Sequence, residues 1–160
     1  MMYIADANIF IRSYHEMPLD TWITFWQRIA TAAQSGILCS IVPVKEELDR
    51  GHDKLTEWVK NNLPKNFFMP LDVDILDCYQ ETQNWASNQS HYKVSALEDF
   101  ATLADAYLIA AAKAKGATLI TYEKSDINSR KRVKIPDVCI GLGVRYCDLN
   151  TFLQENNITI

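Results

Sequence analysis

The sequence predicts an α/β fold in which helices cover both faces of a parallel sheet. Short apolar runs rich in β-branched residues alternate with longer amphipathic segments, which is the pattern of strand-to-helix units. Of the 160 residues, 48% are hydrophobic and only five are Gly and five Pro, which is not the composition of a disordered or fibrous chain. No internal repeat or linker divides the sequence, so we expect a single domain over residues 1–160.

The N-terminal part of the chain predicts a strand, an acid and two helices. Residues 2–5 are apolar and end at Asp6, and the segment after them turns into a helix with Asn8 near its cap. Residues 18–35 carry aromatic and aliphatic side chains at spacings of three and four, which predicts an amphipathic helix that Gly36 closes. We expect the tryptophans of this helix to lie in the core.

A second strand-to-helix unit follows. Residues 37–42 are apolar and β-branched, so they predict a strand. Pro43 suits the first turn of a helix, and residues 43–50 therefore predict the helix that follows this strand. Residues 53–63 predict another amphipathic helix, whereas the apolar residues 67–70 leave the type of element open.

The C-terminal half predicts a long helical region, two strands and a closing helix. Residues 72–87 show a weaker helical pattern, and residues 97–116 are almost continuously helix-forming. The remaining predictions are a buried strand over residues 117–121, one helical turn within 133–140, a last strand over 143–146 and a helix capped by Asp148. This alternation of strands and helices implies a parallel sheet.

Several acids stand beside predicted strand ends. Asp6 directly follows the first strand, and Glu123 comes two residues after the strand that ends at Thr121. Ligands of open parallel α/β sheets bind at the edge where the strands end. Asp105 is the only charged residue between positions 100 and 112, and its neighbours at helical spacing are apolar. If a helix begins near position 103, Asp105 lies in its first turn, where a negative charge is stabilised.

Each acid taken alone has an ordinary explanation. These explanations are a helix cap for Asp6, an exposed helix residue for Glu47, a paired core carboxylate for Asp105 and a loop acid for Glu123. Together they predict a cation, because two carboxylates about 5 Å apart repel each other by roughly 3 kcal/mol at an effective dielectric constant of about 20. Oxygen ligands without His or Cys favour Mg²⁺ or Mn²⁺, ions that activate water and stabilise the leaving oxygen of a phosphodiester.

The segments that carry these acids resemble, in order and spacing, the four acidic motifs of the PIN-domain nucleases: YIADANIFI, VKEEL, LADAYLIAAA and LITYE. The stretch YEKSDINSRKRVKIPDVC is similar to a subgroup of small prokaryotic PIN-like proteins formerly catalogued as a domain of unknown function. The resemblance spans nearly the whole chain. It implies a three-layer α/β/α sandwich with a central parallel sheet of four or five strands, Mg²⁺- or Mn²⁺-dependent cleavage of single-stranded RNA, and often the toxin role in a toxin–antitoxin pair.

The resemblance also implies roles for individual residues. The expected catalytic and metal-binding residues are Asp6, Glu47, Asp105 and Glu123. Asn8 is expected to orient Asp6 or the attacking water, and Thr121 matches the Ser or Thr that usually precedes the fourth acid.

Two of these assignments have alternatives. Many relatives have Asp where this chain has Glu123, so Asp126 is an alternative fourth acid and metal ligand. Glu46 is an alternative to Glu47, because the phase of the helix decides which of the two faces the cleft.

A basic segment follows the fourth acid although the whole chain has a formal charge of −4. Its basic residues are Lys124, Arg130, Lys131, Arg132 and Lys134, against one acid, Asp126. Such a segment is either a solvated loop or a surface that binds RNA phosphates beside the acidic site, with Ser129 as a further hydrogen-bond donor. Tyr122 or Tyr14 would be available to stack on a base, as aromatic side chains do in single-strand RNA sites.

Other classes of site have little support in the sequence. Four Cys residues share no metal-binding spacing, which predicts reduced thiols, and the three His residues have no zincin spacing or nucleophile partner. No nucleotide-binding Gly-rich motif, membrane span or signal peptide is found, so we expect a cytoplasmic protein without a membrane partner.

The expected partners are an RNA substrate, an antitoxin protein and a second copy in a homodimer, with Trp22 or Trp26 as an alternative partner face rather than core. Two alternative functions remain open. One is a non-catalytic PIN-like module that binds RNA or protein. The other is a phosphatase of the haloacid-dehalogenase type, although its D-x-D motif would need Asp where this chain has Asn8.

Overall fold

The computed structural model describes residues 1–160 and contains five strands and nine helices. The strands are β1 (Tyr3–Ala5), β2 (Leu38–Ile41), β3 (Phe68–Met69), β4 (Thr118–Ile120) and β5 (Tyr146–Cys147). The helices are α1 (Ala7–Glu16), α2 (Ile23–Gln34), α3 (Val42–Asp49), α4 (Lys54–Asn62), α5 (Val73–Ser87), α6 (Val94–Thr102), α7 (Ala104–Lys115), α8 (Ile135–Leu142) and α9 (Leu149–Glu155). No helix is both long and apolar enough to span a membrane.

The five strands form one sheet in the order β3-β2-β1-β4-β5, and every neighbouring pair is parallel. From β1 the chain adds strands on one side and then crosses back to add β4 and β5 on the other. Because such crossovers are right-handed, α1–α4 and α5–α8 lie on opposite faces of the sheet. Contacts among α1, α3 and α4, and among α5, α7 and α8, agree with these two layers. The predicted three-layer α/β/α fold with a parallel sheet is therefore confirmed.

Several predicted elements differ from the structure. The last strand, predicted over residues 143–146, is β5 at Tyr146–Cys147, because Gly143 is the left-handed residue that ends α8. The helix-forming stretch over residues 97–116 is two helices, because Leu103 has an extended backbone (φ −80°, ψ 157°) that ends α6 and precedes α7. The sequence left this break open, since no Gly or Pro marks it. The single turn expected within residues 133–140 is the eight-residue helix α8, which begins with a proline in its first turn and ends at Gly143 in the left-handed conformation.

The aromatic face of α2 is divided between core and surface. Trp26 is buried and its indole N–H donates a hydrogen bond to the Met17 carbonyl at 2.7 Å, so the core prediction is confirmed for this residue. Trp22 precedes the helix and is 44% exposed, so the same prediction is wrong there. The chain turns over residues 18–22 before α2 begins at Ile23, and this turn leaves Trp22 outside the helical face that packs on the sheet.

Candidate functional site

The acidic centre lies where the order of the strands reverses, between β1 and β4. Asp6 directly follows β1, and its backbone N–H donates to the carbonyl of Ile120, the last residue of β4. Its side chain is 3% exposed and accepts a hydrogen bond from Thr121 Oγ1 at 3.2 Å. Asp6 occupies the N-cap position of α1 but makes no side-chain cap hydrogen bond. The carboxylate is therefore turned towards the cleft rather than used to cap the helix.

Asp105 and Glu47 reach the same edge of the sheet on helices. Asp105 lies in the first turn of α7, and this helix leads into β4, so its N-terminus stands at the edge where the strands end. Glu47 lies in α3, the helix that follows β2. Glu47 is half-buried whereas Glu46 is exposed, and it is Glu47 that interacts electrostatically with Asp105.

Glu123 is held by two backbone contacts beyond the end of β4. Its own N–H donates to Thr121 Oγ1 at 3.0 Å, and its Oε1 accepts from the N–H of Ile135 at 3.3 Å, where α8 begins. The hydroxyl of Thr121 therefore connects Asp6 to Glu123, because it donates to the first residue and accepts from the second. A carboxylate at the N-terminus of α8 also gains stabilisation from the helix dipole.

Arg132 lies between two of the acids. Its Nη2 is 3.3 Å from Asp105 Oδ2 and 3.2 Å from Glu123 Oε2. The side chains of Asp105 and Glu123 are 15% and 12% exposed, whereas that of Arg132 is 51% exposed. One guanidinium thus joins two nearly buried carboxylates from the solvent side.

The pKa values of the four acids are all raised. Burial, followed by the negative charges of Asp105, Glu123 and Glu47, raises the pKa of Asp6 to about 7. Burial is also the largest cause for the other three, and for Glu47 and Glu123 the charge of Asp105 adds to it. Arg132 lowers the pKa of Asp105, Glu123 and Glu47 but does not outweigh their burial. Arg50 also lowers the pKa of Glu47, and Lys134 also lowers that of Glu123, yet both pKa values stay raised.

The donor set fits a hard divalent cation in its chemistry. All four acids offer oxygen ligands, and the buried Asp6 has only one hydrogen-bond donor to its carboxylate, Thr121. The side-chain positions do not yet form a complete metal site. In this structure no three acidic, His or Cys side chains are placed so that they could hold one ion together. Arg132 lies between two of these acids, with its Nη2 within 3.3 Å of Asp105 Oδ2 and 3.2 Å of Glu123 Oε2.

The structure places the other predicted residues around this centre in different ways. Asn8 lies inside α1, is exposed, and lines a small cavity of about 250 Å³ together with Asp6 and Glu123. Asp126 is exposed and closes a turn, with its Oδ1 accepting from the N–H of Asn128 at 3.1 Å. The hydrogen bonds of Asp126 join it to Asp137 and Asn128, and none joins it to the four acids.

The basic segment is not a uniform cationic surface. Lys124, Arg130 and Lys131 are exposed, and none of them makes an ion pair. Ser129 Oγ donates to the carbonyl of Arg132 at 2.8 Å, so this hydroxyl stabilises the loop and is not free to donate to a phosphate as expected. Arg132 points into the acidic centre instead of outwards.

Sequence reasoning missed Asp137, the residue that anchors this segment. Asp137 is buried in the first turn of α8 and accepts hydrogen bonds from Ser125 Oγ at 2.5 Å and from the N–H of Asp126 at 3.2 Å. Its position after Ile135 and Pro136, at the start of a helix, was the available signal.

A larger cavity of about 620 Å³ lies next to the acidic centre, at the ends of β4 and β5. Aromatic side chains contribute to its wall: Trp22, Phe25, Tyr122 and Tyr146. The Tyr122 hydroxyl is 2.7 Å from Ser13 Oγ, and the Arg12 guanidinium lies 4.6 Å from the centre of the Tyr122 ring. Arg12 thus covers one face of the ring that was expected to stack on a base.

Comparisons with known proteins identify a family and a shared fold. Residues 3–160 match the family described as "Domain of unknown function (DUF4411)". The structure of VapBC2 from Rickettsia felis, bound to a DNA fragment from their promoter, is similar with a TM-score of 0.57 and 16% identity, covering 92% of this chain and 98% of that chain. FitAcB from Neisseria gonorrhoeae is similar with a TM-score of 0.51 and 16% identity, covering 91% of this chain and 96% of that chain. No curated protein matches the sequence. At this identity the likeness shows the fold, and it agrees with the expected PIN-like architecture.

Proposed function

The chain belongs to the family described as Domain of unknown function (DUF4411), and from the acidic centre it carries we propose that it is a metal-dependent endoribonuclease that cleaves single-stranded RNA as the toxin of a toxin–antitoxin pair. The observation that carries this proposal is the buried carboxylate of Asp6, whose pKa is raised by burial and by three further acids at the same sheet edge. Four neighbouring acids repel each other, and a bound Mg²⁺ or Mn²⁺ ion would offset this repulsion.

Asp6, Glu47, Asp105 and Glu123 would hold the ion, which when bound activates a water and stabilises the leaving oxygen of a phosphodiester. The chain's own residues prepare this site. Thr121 holds Asp6 and the backbone of Glu123, and the N–H of Ile135 fixes the orientation of the Glu123 carboxylate. The exposed Lys124, Arg130 and Lys131 attract the RNA backbone towards an otherwise acidic surface.

The toxin role and the antitoxin partner rest on the motif resemblance to PIN-domain nucleases. The fold shared with VapBC2 and FitAcB is consistent with that resemblance. An antitoxin partner is expected to co-purify with the protein when the neighbouring reading frame is expressed with it, and to suppress RNA cleavage. A homodimer and a cytoplasmic location complete this proposal.

Cleavage of a single-stranded RNA labelled at one end tests the activity. We expect internal cuts in the presence of Mn²⁺ or Mg²⁺. Cleavage should be lost when EDTA removes the ion, because the ion is needed to activate the water and to stabilise the leaving oxygen. Duplex RNA and single-stranded DNA of the same sequence are the matched controls for the substrate class. Cleavage that is equally fast in EDTA would contradict the proposal.

One observation favours a second function, a non-catalytic module that binds RNA or a protein. Arg132 already forms ion pairs with Asp105 and Glu123, and such pairs also occur in structural sites. This module would bind RNA without cutting it at any concentration of Mn²⁺. The hypothesis of a haloacid-dehalogenase-type phosphatase has no comparable support, because Asn8 cannot act as the general acid. Turnover of p-nitrophenyl phosphate would support that hypothesis.

A further inference from the structure

The side chain of Arg132 occupies a place that a divalent ion would need. Its Nη2 atom contacts Asp105 Oδ2 at 3.3 Å and Glu123 Oε2 at 3.2 Å. The charges of Arg132 and Asp6 also interact, so the guanidinium acts on a third acid of the centre. An ion bound by Asp105 and Glu123 has to lie between the same carboxylates, at oxygen distances of about 2.0–2.3 Å. An ion bound to Asp105 Oδ2 and Glu123 Oε2 would therefore have to displace Arg132 from them.

The loop that carries Arg132 is fixed by contacts that do not involve its guanidinium. Asp137 accepts hydrogen bonds from Ser125 and from the backbone of Asp126, at the start of the loop. At its other end the N–H of Lys93 donates to the carbonyl of Arg130 at 2.9 Å, and Ser129 Oγ donates to the carbonyl of Arg132 itself. The backbone thus presents Arg132 to the acids even when the side chain moves.

The acids and the guanidinium differ in how firmly they are held. Glu123 accepts a hydrogen bond from the N–H of Ile135, and Asp6 accepts one from Thr121, and neither bond involves Arg132. Arg132 is 51% exposed and makes its side-chain hydrogen bonds only to Asp105 and Glu123. Its guanidinium can rotate into solvent while Glu123 stays bonded to Ile135, whereas Asp105 then loses its only hydrogen-bond donor.

We propose that Arg132 is a counter-cation that competes with the divalent ion for Asp105 and Glu123 and bridges these two carboxylates when no ion is bound. The inference rests on the proposed function, because it takes the acidic centre to be the ion site. In the ion-free protein Arg132 reduces the repulsion between the two carboxylates. When the ion binds, Arg132 leaves them, so part of the binding free energy of the ion is used to break these contacts.

Calorimetric titration with Mn²⁺ tests this competition. We expect Arg132→Gln to bind Mn²⁺ about five- to tenfold more tightly than the wild type, since breaking a partly buried ion pair no longer opposes binding. Lys131→Gln is the matched control, because it removes the same charge from the neighbouring exposed position, and we expect its affinity to stay within about twofold of the wild type. Arg132→Lys keeps the charge but loses the planar guanidinium, so its affinity should lie between the two.

Thermal unfolding gives a second readout that a purely structural arginine would not produce. Without metal, Arg132→Gln should unfold at a lower temperature than the wild type, because Asp105 and Glu123 repel each other unscreened. With saturating Mn²⁺ the variant should show the larger rise in unfolding temperature. A purely structural role would also lower the unfolding temperature without metal, but it would leave the affinity for Mn²⁺ unchanged or weaker, so that Mn²⁺ would raise the unfolding temperature of the variant no more than that of the wild type.

The outcomes separate this inference from the proposed function. Equal or weaker Mn²⁺ binding by Arg132→Gln, with a wild type that binds, overturns the competition alone. Absence of Mn²⁺ binding in both proteins overturns the metal site and the competition with it. If Arg132→Gln does not fold, a structure of the wild type with Mn²⁺ decides, because an ion bound while Arg132 still bridges Asp105 and Glu123 contradicts the competition.

Discussion

Asp6→Asn is expected to lower the rate of RNA cleavage by at least about 10³-fold while the protein stays folded. Asp6 is the most buried of the four acids and follows β1 directly, so its loss removes a charge from the middle of the centre. Asn has the same shape, and its amide oxygen still accepts the hydrogen bond from Thr121. Single-turnover cleavage in saturating Mn²⁺ measures the effect, and circular dichroism checks the fold.

The stability of Asp6→Asn supplies an internal check on this result. Because three acids and burial disfavour the charge of Asp6, the variant should be more stable than the wild type at pH 8 without metal. Asp77→Asn is the matched control: Asp77 is an exposed residue of α5 without a hydrogen bond or ion pair, so cleavage should stay at the wild-type rate. Wild-type cleavage by Asp6→Asn would contradict the proposed function.

Cleavage assays on variants also distinguish the two candidates for the fourth acid, Glu123 and Asp126. Glu123 contacts Arg132 and the start of α8, whereas the Asp126 carboxylate closes a turn. We therefore expect Glu123→Gln to lose cleavage and Asp126→Asn to retain most of it. The reverse result would move the fourth ligand to Asp126.

The stabilisation by Mn²⁺ is expected to grow steeply as the pH rises from about 5.5 to 8. The pKa of Asp6 is near 3.8 in the unfolded chain and about 7 in the folded protein, so between these values the folded state binds the extra proton. The free energy of unfolding of the ion-free protein therefore falls as the pH rises through this window, by about 4 kcal/mol at most. Mn²⁺ binds the deprotonated acids, so its effect is largest where the ion-free protein is weakest.

Urea unfolding at several pH values, with and without Mn²⁺, measures this dependence. In Asp6→Asn both the fall in stability and the rise in the Mn²⁺ effect should be much smaller, because the titrating group is absent. A wild-type stability that increases between pH 5.5 and 7 without metal would show that Asp6 is not held in the protonated form by its surroundings.

The architecture of the sheet follows from the sequence because each strand is a short apolar run beside a helical segment. Asp6 and Glu123 were assigned to one edge of the sheet because they follow β1 and β4, and parallel strands end together. Asp105 reaches this edge through the break at Leu103, which places it in the first turn of α7. The sequence left that break open, because Leu, Ala and Thr on either side of it are all acceptable in helices.

The position of Arg132 could not be derived from its neighbours in the sequence. Five basic residues share one segment, and the pattern gives no reason to single out one of them. The selection is made by Asp137 and Ser129, which fix the path of the loop through contacts that depend on the folded structure. For the same reason the sequence treated Ser129 as a phosphate donor, although its hydroxyl is used within the loop.

The central claim is that Asp6, Glu47, Asp105 and Glu123 bind one or two divalent ions. The most direct test is a crystal structure with Mn²⁺, in which anomalous scattering locates the ion independently of the protein. We predict an anomalous peak about 2.0–2.3 Å from oxygen atoms of Asp6 and of at least one further acid of the four, with Arg132 displaced from Asp105 and Glu123. Mn²⁺ bound only elsewhere on the protein, with the four acids and Arg132 unchanged, would contradict the claim.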